Sequence, residues 1–181
     1  MKVLREDLGG VKVLEPKVFG DDRGYFYESW NQRAFDALAG HSVAFVQDNH
    51  SKSVRGVLRG LHYQVRQTQG KLVRVISGEV FDVAVDLRRS SPTFGRWMGD
   101  VLSGENRRMI WVPEGFAHGF VVLSETAEVL YKATDFYAPD HERTLLWNDP
   151  VIGIDWRYEG TPLLKPKDAA GLPLAQAETF P

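Results

Sequence analysis

The sequence predicts a single all-β domain, a sandwich or small barrel with few and short helices, and three observations carry that prediction. Short runs of β-branched and aromatic residues recur at intervals of roughly 8 to 12 residues, each closed by Gly, Pro, Asn or Asp. In the clearest run, Glu79 to Leu87, the residues Phe81, Val83, Val85 and Leu87 share one parity and form a solid apolar face. Only one segment has the spacing of an amphipathic helix. The 181 residues, 43% of them apolar, suffice for one core, so residues 1–181 are read as one domain.

Taken in order, the first predicted strand is Tyr25 to Trp30, followed by a helix over Gln32 to Ala39. Asn31 is its N-cap, Ala34, Phe35 and Leu38 share a face, and Gly40 stops it. Further strands are expected at Ala44 to Asn49, through the β-rich Gly56 to Gln64, and at Leu72 to Ile76. Glu79 to Leu87 follows, and its second parity carries Val80, Ala84, Asp82 and Asp86, which either border a cavity or face solvent. The last strands are Arg96 to Leu102, Met109 to Val112, Gly119 to Leu123 and Val129 to Asp135. From Thr161 onward, Pro, Lys, Ala and Gly predict chain that is irregular or packed onto the body. No linker, repeat or low-complexity segment interrupts the pattern.

Composition excludes several classes of function. A net charge of −2 with dispersed Lys and Arg gives no basic field for nucleic acid. The absence of cysteine rules out disulfides, thiolate metal sites and a cysteine nucleophile. Glu6 and Asp7 stand where a signal peptide has its apolar core, and no apolar run approaches the ~20 residues that span a bilayer. A cytoplasmic protein with no membrane partner is expected.

Two stretches carry chemistry. Arg59-Gly60-Leu61-His62-Tyr63-Gln64, followed by Gln69-Gly70-Lys71, puts an imidazole, an ammonium and a guanidinium close together, suited to moving a proton, holding an oxyanion and gripping a phosphate. Later, Pro113-Glu114-Gly115-Phe116-Ala117-His118-Gly119 adds a second histidine. In a β barrel this pair of motifs resembles the cupins, which implies a jelly-roll barrel or sandwich. Cupin motifs usually hold a metal with two histidines and a glutamate in the first motif and one histidine in the second. Here His62 and His118 match, but Gln64 replaces the second histidine and Thr68 or Gln69 stands at the glutamate position. Two neutral histidines beside a lysine make a poor divalent-ion site, so no metal or other cofactor is expected.

With Phe19 to Glu28 and Phe45 to Ser51 included, the motifs in order resemble the dTDP-4-dehydrorhamnose 3,5-epimerase family from about Val11 to Asp168. The resemblance implies epimerisation at C3 and C5 of a dTDP-4-keto-6-deoxy sugar, with His62 as base, Asp168 orienting it, Lys71 holding the enolate oxygen and Tyr131 as the acid. It implies Arg23 and Arg59 as diphosphate grips, and Gln47, Asn49 and His118 as sugar or phosphate contacts. Phe26, Glu28 and Lys167 are implied nearby, Tyr137 stacks on thymine and Glu142 lies on the nucleotide side. A homodimer with exchanged strands is implied as well. The alternatives are a mono-epimerase of a related sugar, a metal-dependent cupin and a non-catalytic sugar-nucleotide-binding cupin. One tension stands: strict alternation points Arg59 and His62 to opposite faces, unless Gly60 marks a bulge or the two serve pockets across a subunit boundary.

Overall fold

A computed structural model describes residues 1–181. Thirteen strands run β1 (Lys2–Asp7), β2 (Val11–Glu15), β3 (Val18–Asp21), β4 (Gly24–Tyr27), β5 (Gln47–Val54), β6 (Leu58–Gln64), β7 (Lys71–Ser77), β8 (Glu79–Asp86), β9 (Trp97–Ser103), β10 (Met109–Val112), β11 (Phe116–Val122), β12 (Thr126–Ala133) and β13 (Glu142–Thr144). Two helices, α1 (Gln32–Ala39) and α2 (Pro166–Ala169), complete the list together with a single 3-10 turn. The strands form a six-stranded sheet in the order β1-β2-β10-β7-β12-β5, a five-stranded sheet β13-β6-β11-β8-β9, and a separate hairpin β3-β4. Every ladder is antiparallel. No helix is long and apolar enough to cross a membrane.

Three apolar clusters hold this arrangement. The first lies between the sheets and includes Val11, Val73, Val75, Ile110, Ala84, Phe120 and Val129. The second covers the outer face of the five-stranded sheet, where Leu145, Ile152, Trp156 and Ala177 of the C-terminal chain pack on Phe81, Val83, Val85 and Leu87. The third seals part of the outer face of the six-stranded sheet under α1, with Phe35 against Leu14, Leu72, Met109 and Trp111. Burying Phe35 alone stabilises the fold by about 2–3 kcal/mol. The helix is bounded as its sequence predicts: the Asn31 side chain accepts from the Ala34 amide at 3.0 Å, and Gly40 takes φ 82° with its N–H on Asp36 O.

Several expectations narrow or change. Neither face of β8 is solvated, since Asp82 and Asp86 are both 0% exposed. As one of its two readings has it, the tail from Thr161 packs onto the body, with Ala177 on the Phe81, Val83, Val85 and Leu87 face of β8, while Asp82 turns inward with Val80 and Ala84. The strand at Tyr25 stops at Tyr27 and belongs to the outlying hairpin. β5 begins at Gln47 and runs on to Val54, beyond the expected Asn49, and β1, β2, β3, β13 and α2 were not anticipated.

The tension over Arg59 and His62 resolves as a bulge. His62 pairs with His118 and Arg59 with Phe120, so two residues of β6, Gly60 and Leu61, stand opposite the single Gly119 of β11. The extra residue brings both side chains to the same cleft. Gly60, at φ +123°, makes this possible: a Cβ there would lie 2.6 Å from Gly119 Cα and 2.8 Å from His118 O.

Candidate active site

Between the sheets, at one end, opens a cavity of about 400 Å³. The six-stranded sheet lines one wall with Lys71 of β7, Tyr131 of β12, and Gln47, Asn49 and Ser51 of β5. The five-stranded sheet lines the other with Arg59 and His62 of β6, His118 and Phe120 of β11, and Glu142 of β13. Tyr137 follows β12, and Lys165, Lys167 and Asp168 come from the tail. A larger cleft of about 710 Å³ lies elsewhere, around Glu6, Lys12, His41 and Trp111. Its Lys12 is paired with Glu6, and it brings no histidine against a carboxylate, so the smaller cavity is the chemical one.

The proton-transfer groups are fixed by neighbours. Asp168, 3% exposed at the start of the last helix, hydrogen-bonds His62 Nε2 through Oδ1 at 2.6 Å. That fixes the ring and leaves Nδ1 without a protein partner. On the adjacent strand His118 Nε2 meets both oxygens of Asp82, at 2.9 and 3.0 Å, in a second and fully buried pair. Burial pushes the Asp82 carboxyl up, against the pull of His118 and Lys71.

Lys71 is buried and forms no ion pair. Burial lowers its ammonium to about 8, with Glu142 and Asp82 opposing the fall. Burial raises the Tyr131 phenol; Glu142 adds to the rise and Arg59 resists it. A phenol kept protonated can donate, and a cation without a counter-ion awaits negative charge. At the rim, Tyr137 Oη donates to Glu142 Oε2 at 2.7 Å and Lys167 also bonds Glu142. Burial draws Glu142 upward, but these two bonds and the nearby His62 leave it lowered overall.

The cupin ligand positions have other duties. Gln64 is buried, donating to Gln67 O at 2.6 Å and Phe136 O at 3.2 Å while accepting from the Ala138 amide at 2.9 Å, which ties down the loop carrying Tyr137. Thr68 bonds Glu114, and Gln69 donates to Asp135 O at 2.8 Å. No group of three or more His, Asp or Glu is arranged to hold a metal ion.

Of the predicted residues, His62, Tyr131, Lys71, Asp168, Gln47, Asn49, Arg59, His118, Tyr137, Glu142 and Lys167 converge on the cavity. Arg23, Phe26 and Glu28 do not, which corrects the expectation for a single chain. They ride on or just past the β3-β4 hairpin: Arg23 clasps Asp21, Phe26 is 71% exposed, and Glu28 accepts from Asn31 at 3.1 Å. Ser51, Phe120 and Lys165 were missed, while Gln69 and Asp82 were singled out without the places they take here. The unbroken polar run of β5 was the signal available for Ser51.

A jelly-roll cleft with acid–base groups on both walls and cations at its base and rim defines an enzyme that moves protons on an anionic ligand. Comparison with known proteins makes this specific. Residues 5–176 match the model of the family described as dTDP-4-dehydrorhamnose 3,5-epimerase. The dTDP-4-dehydrorhamnose 3,5-epimerase of Pseudomonas aeruginosa is 65% identical over 181 residues, covering 100% of both chains. That of Salmonella typhimurium is 60% identical over 178 residues, 98% of this chain and 97% of that one. The solved dTDP-6-deoxy-D-glucose-3,5-epimerase of Legionella pneumophila, in complex with dTDP-4-keto-L-rhamnose, superposes with a TM-score of 0.95 at 52% identity, covering 98% of this chain and 94% of that chain. The chain belongs to the dTDP-4-dehydrorhamnose 3,5-epimerase family; it is an isomerase with a cupin-like fold.

Proposed function

We propose that the cavity inverts C3 and C5 of dTDP-4-dehydro-6-deoxy-D-glucose, giving dTDP-4-dehydro-L-rhamnose. Both C–H bonds lie α to the C4 ketone, so removing either proton yields an enolate, and no cofactor enters the chemistry. His62, held by Asp168, takes the proton; the enolate oxygen rests against the Lys71 ammonium; Tyr131 returns a proton from the other side. The observation that carries the reading is that His62 stands on one sheet and Tyr131 on the other. A sugar lying between the sheets meets a base on one face and an acid on the other, as inversion requires.

Arg59 suits the diphosphate, because its Nε is held by Ser53 Oγ at 3.0 Å and the rest of its fork remains for phosphate oxygens. Asn49 and His118 line the sugar region, with Gln47 bracing Asn49. Tyr137, Glu142 and Lys167 form the nucleotide side. Arg23, Phe26 and Glu28 act from a partner subunit, whose hairpin reaches over the cavity in a homodimer. A nucleotide-sugar substrate also fits a cytoplasmic site of action.

Incubation with dTDP-4-keto-6-deoxyglucose in heavy water, with a chelator present, tests this. NMR should find deuterium at both C3 and C5. Labelling at one carbon alone would make it a mono-epimerase, and no labelling would leave a binding protein.

A further inference from the structure

β5 is an edge strand, and its inward side chains are Gln47, Asn49, Ser51 and Ser53. An unbroken polar stripe facing the interior of a sandwich departs from the usual apolar-in alternation, so each side chain needs a partner. Gln47 and Ser53 have theirs within the chain. Gln47 accepts from the Tyr137 amide at 2.9 Å and donates to Asn49 Oδ1 at 3.1 Å, and Ser53 accepts from Arg59 Nε at 3.0 Å. Asn49 Nδ2 and Ser51 Oγ are different: both atoms are shut off from solvent, both belong to residues lining the cavity, and neither has a hydrogen-bond partner. Because both residues are only half-buried and line the cavity, a turn about χ1 presents either group to a ligand, which would satisfy it.

Their order along the strand says which part of the ligand. Asn49 lies across the ladder from Tyr131, and Ser53 holds Arg59, with Ser51 midway. Successive inward side chains are about 7 Å apart, comparable to the width of a pyranose ring with its substituents. Under the proposed function, on which this inference rests, Tyr131 marks the carbons being inverted and Arg59 marks the diphosphate on C1. Between C1 and C3 lies C2 with its hydroxyl. We propose that Ser51 hydrogen-bonds this C2 hydroxyl, and is the residue by which the site tells a 6-deoxy sugar from a 2,6-dideoxy one. A serine hydroxyl both donates and accepts, which matches a sugar hydroxyl and not a methylene. A site built to bond a hydroxyl discriminates against the analogue lacking it, because its own buried group is then left unmatched.

The test compares kcat/KM of wild type and Ser51→Ala on the dTDP-4-keto-6-deoxy sugar and on its 2-deoxy analogue. Ser51→Ala should lower the value for the hydroxylated sugar about tenfold, the worth of one hydrogen bond, and change the value for the analogue by less than about twofold. Equal losses on both sugars, or none on either, overturn the assignment. If Ser51→Ala folds poorly, Ser51→Cys keeps the volume with a weaker hydrogen-bonding group and must show the same selective loss; an unselective loss overturns the assignment equally. Wild-type deuterium exchange at C3 and C5 separates the two levels. Exchange that is indifferent to the C2 hydroxyl sinks the Ser51 inference alone, and absent exchange sinks the epimerase reading itself.

Discussion

Lys71 holds a charge where charge is costly, and that shapes both activity and stability. Burial brings its ammonium down to about 8, below the ordinary 10.5. A reaction that needs the cation should therefore lose kcat/KM as pH rises through about 8. Lys71→Met should abolish that limb of the profile and lower the rate by roughly 10²–10³-fold. Its effect on stability runs the other way. The unfolded chain binds the proton more tightly, so burying this lysine destabilises the fold fully below pH about 8, and the penalty fades towards 10.5. Lys71→Met should accordingly raise the melting temperature at neutral pH; a lower one would mean that the ammonium is stabilised in the folded state. The His62–Asp168 pair makes a separate prediction. His62→Ala should abolish deuterium exchange, and Asp168→Asn should slow it by roughly 10²–10⁴-fold, with dTDP affinity in calorimetry nearly unchanged in both. Retained exchange in His62→Ala would remove it as the base. At this scale spacing and resemblance made His62, Lys71 and Tyr131 legible. Ser51 was not, since a serine in a polar strand is unremarkable until its hydroxyl is found buried and unpartnered.

Between residue and fold stands the β6 bulge, which turns two side chains of opposite parity into one cleft. Gly60 carries it, and Gly60→Ala would drive a Cβ into the Gly119 backbone at 2.6 Å while holding φ at +123°. The expected loss is about 2 kcal/mol or more in chemical denaturation. Arg59-dependent dTDP binding and His62-dependent exchange should fall together, whereas Arg59→Ala should weaken binding and spare exchange at saturating substrate. If Gly60→Ala binds dTDP as wild type does, the bulge does not position Arg59. The bulge was legible as an alternative, from the conflict between alternation and chemistry. β5 was misjudged for a related reason: its inward face serves the cavity, so the apolar alternation that marks a strand is missing from Gln47 to Ser53. β8 left two readings open, a cavity border or a solvated face, and the structure removes the second: Asp86 is consumed by Arg88, Ser91 and Thr93 and Asp82 by His118, so the strand is buried on both sides.

At the scale of the molecule, the all-β class followed from turn spacing, whereas the long-range closure of the site was implied by resemblance alone. Asp168 reaches His62 across 106 residues, from a tail whose composition says nothing of this role; the family resemblance alone pointed to it. The hairpin β3-β4 poses the remaining problem. It pairs only with itself, exposes Phe19, Tyr25 and Phe26, and carries Arg23 away from the cavity of its own chain. Exposed aromatics on a two-stranded ribbon are an unsatisfied surface, since an isolated hairpin is barely stable in water. Docking on a second copy would cover them and deliver a guanidinium to that copy's site. Subunit mixing tests this without presupposing the geometry. His62→Ala homodimers lack the base in both sites, and Arg23→Ala/Phe26→Ala homodimers lack the hairpin contacts in both. If each site combines His62 of one chain with the hairpin of the other, a mixed dimer carries one doubly damaged site and one intact site. Equilibrating the two variants, with heterodimers verified by native mass spectrometry, should then restore about a quarter of the wild-type rate at low substrate, because half the dimers are mixed and each has one working site. If each chain completes its own site, every site in the mixed dimer stays damaged and mixing restores nothing.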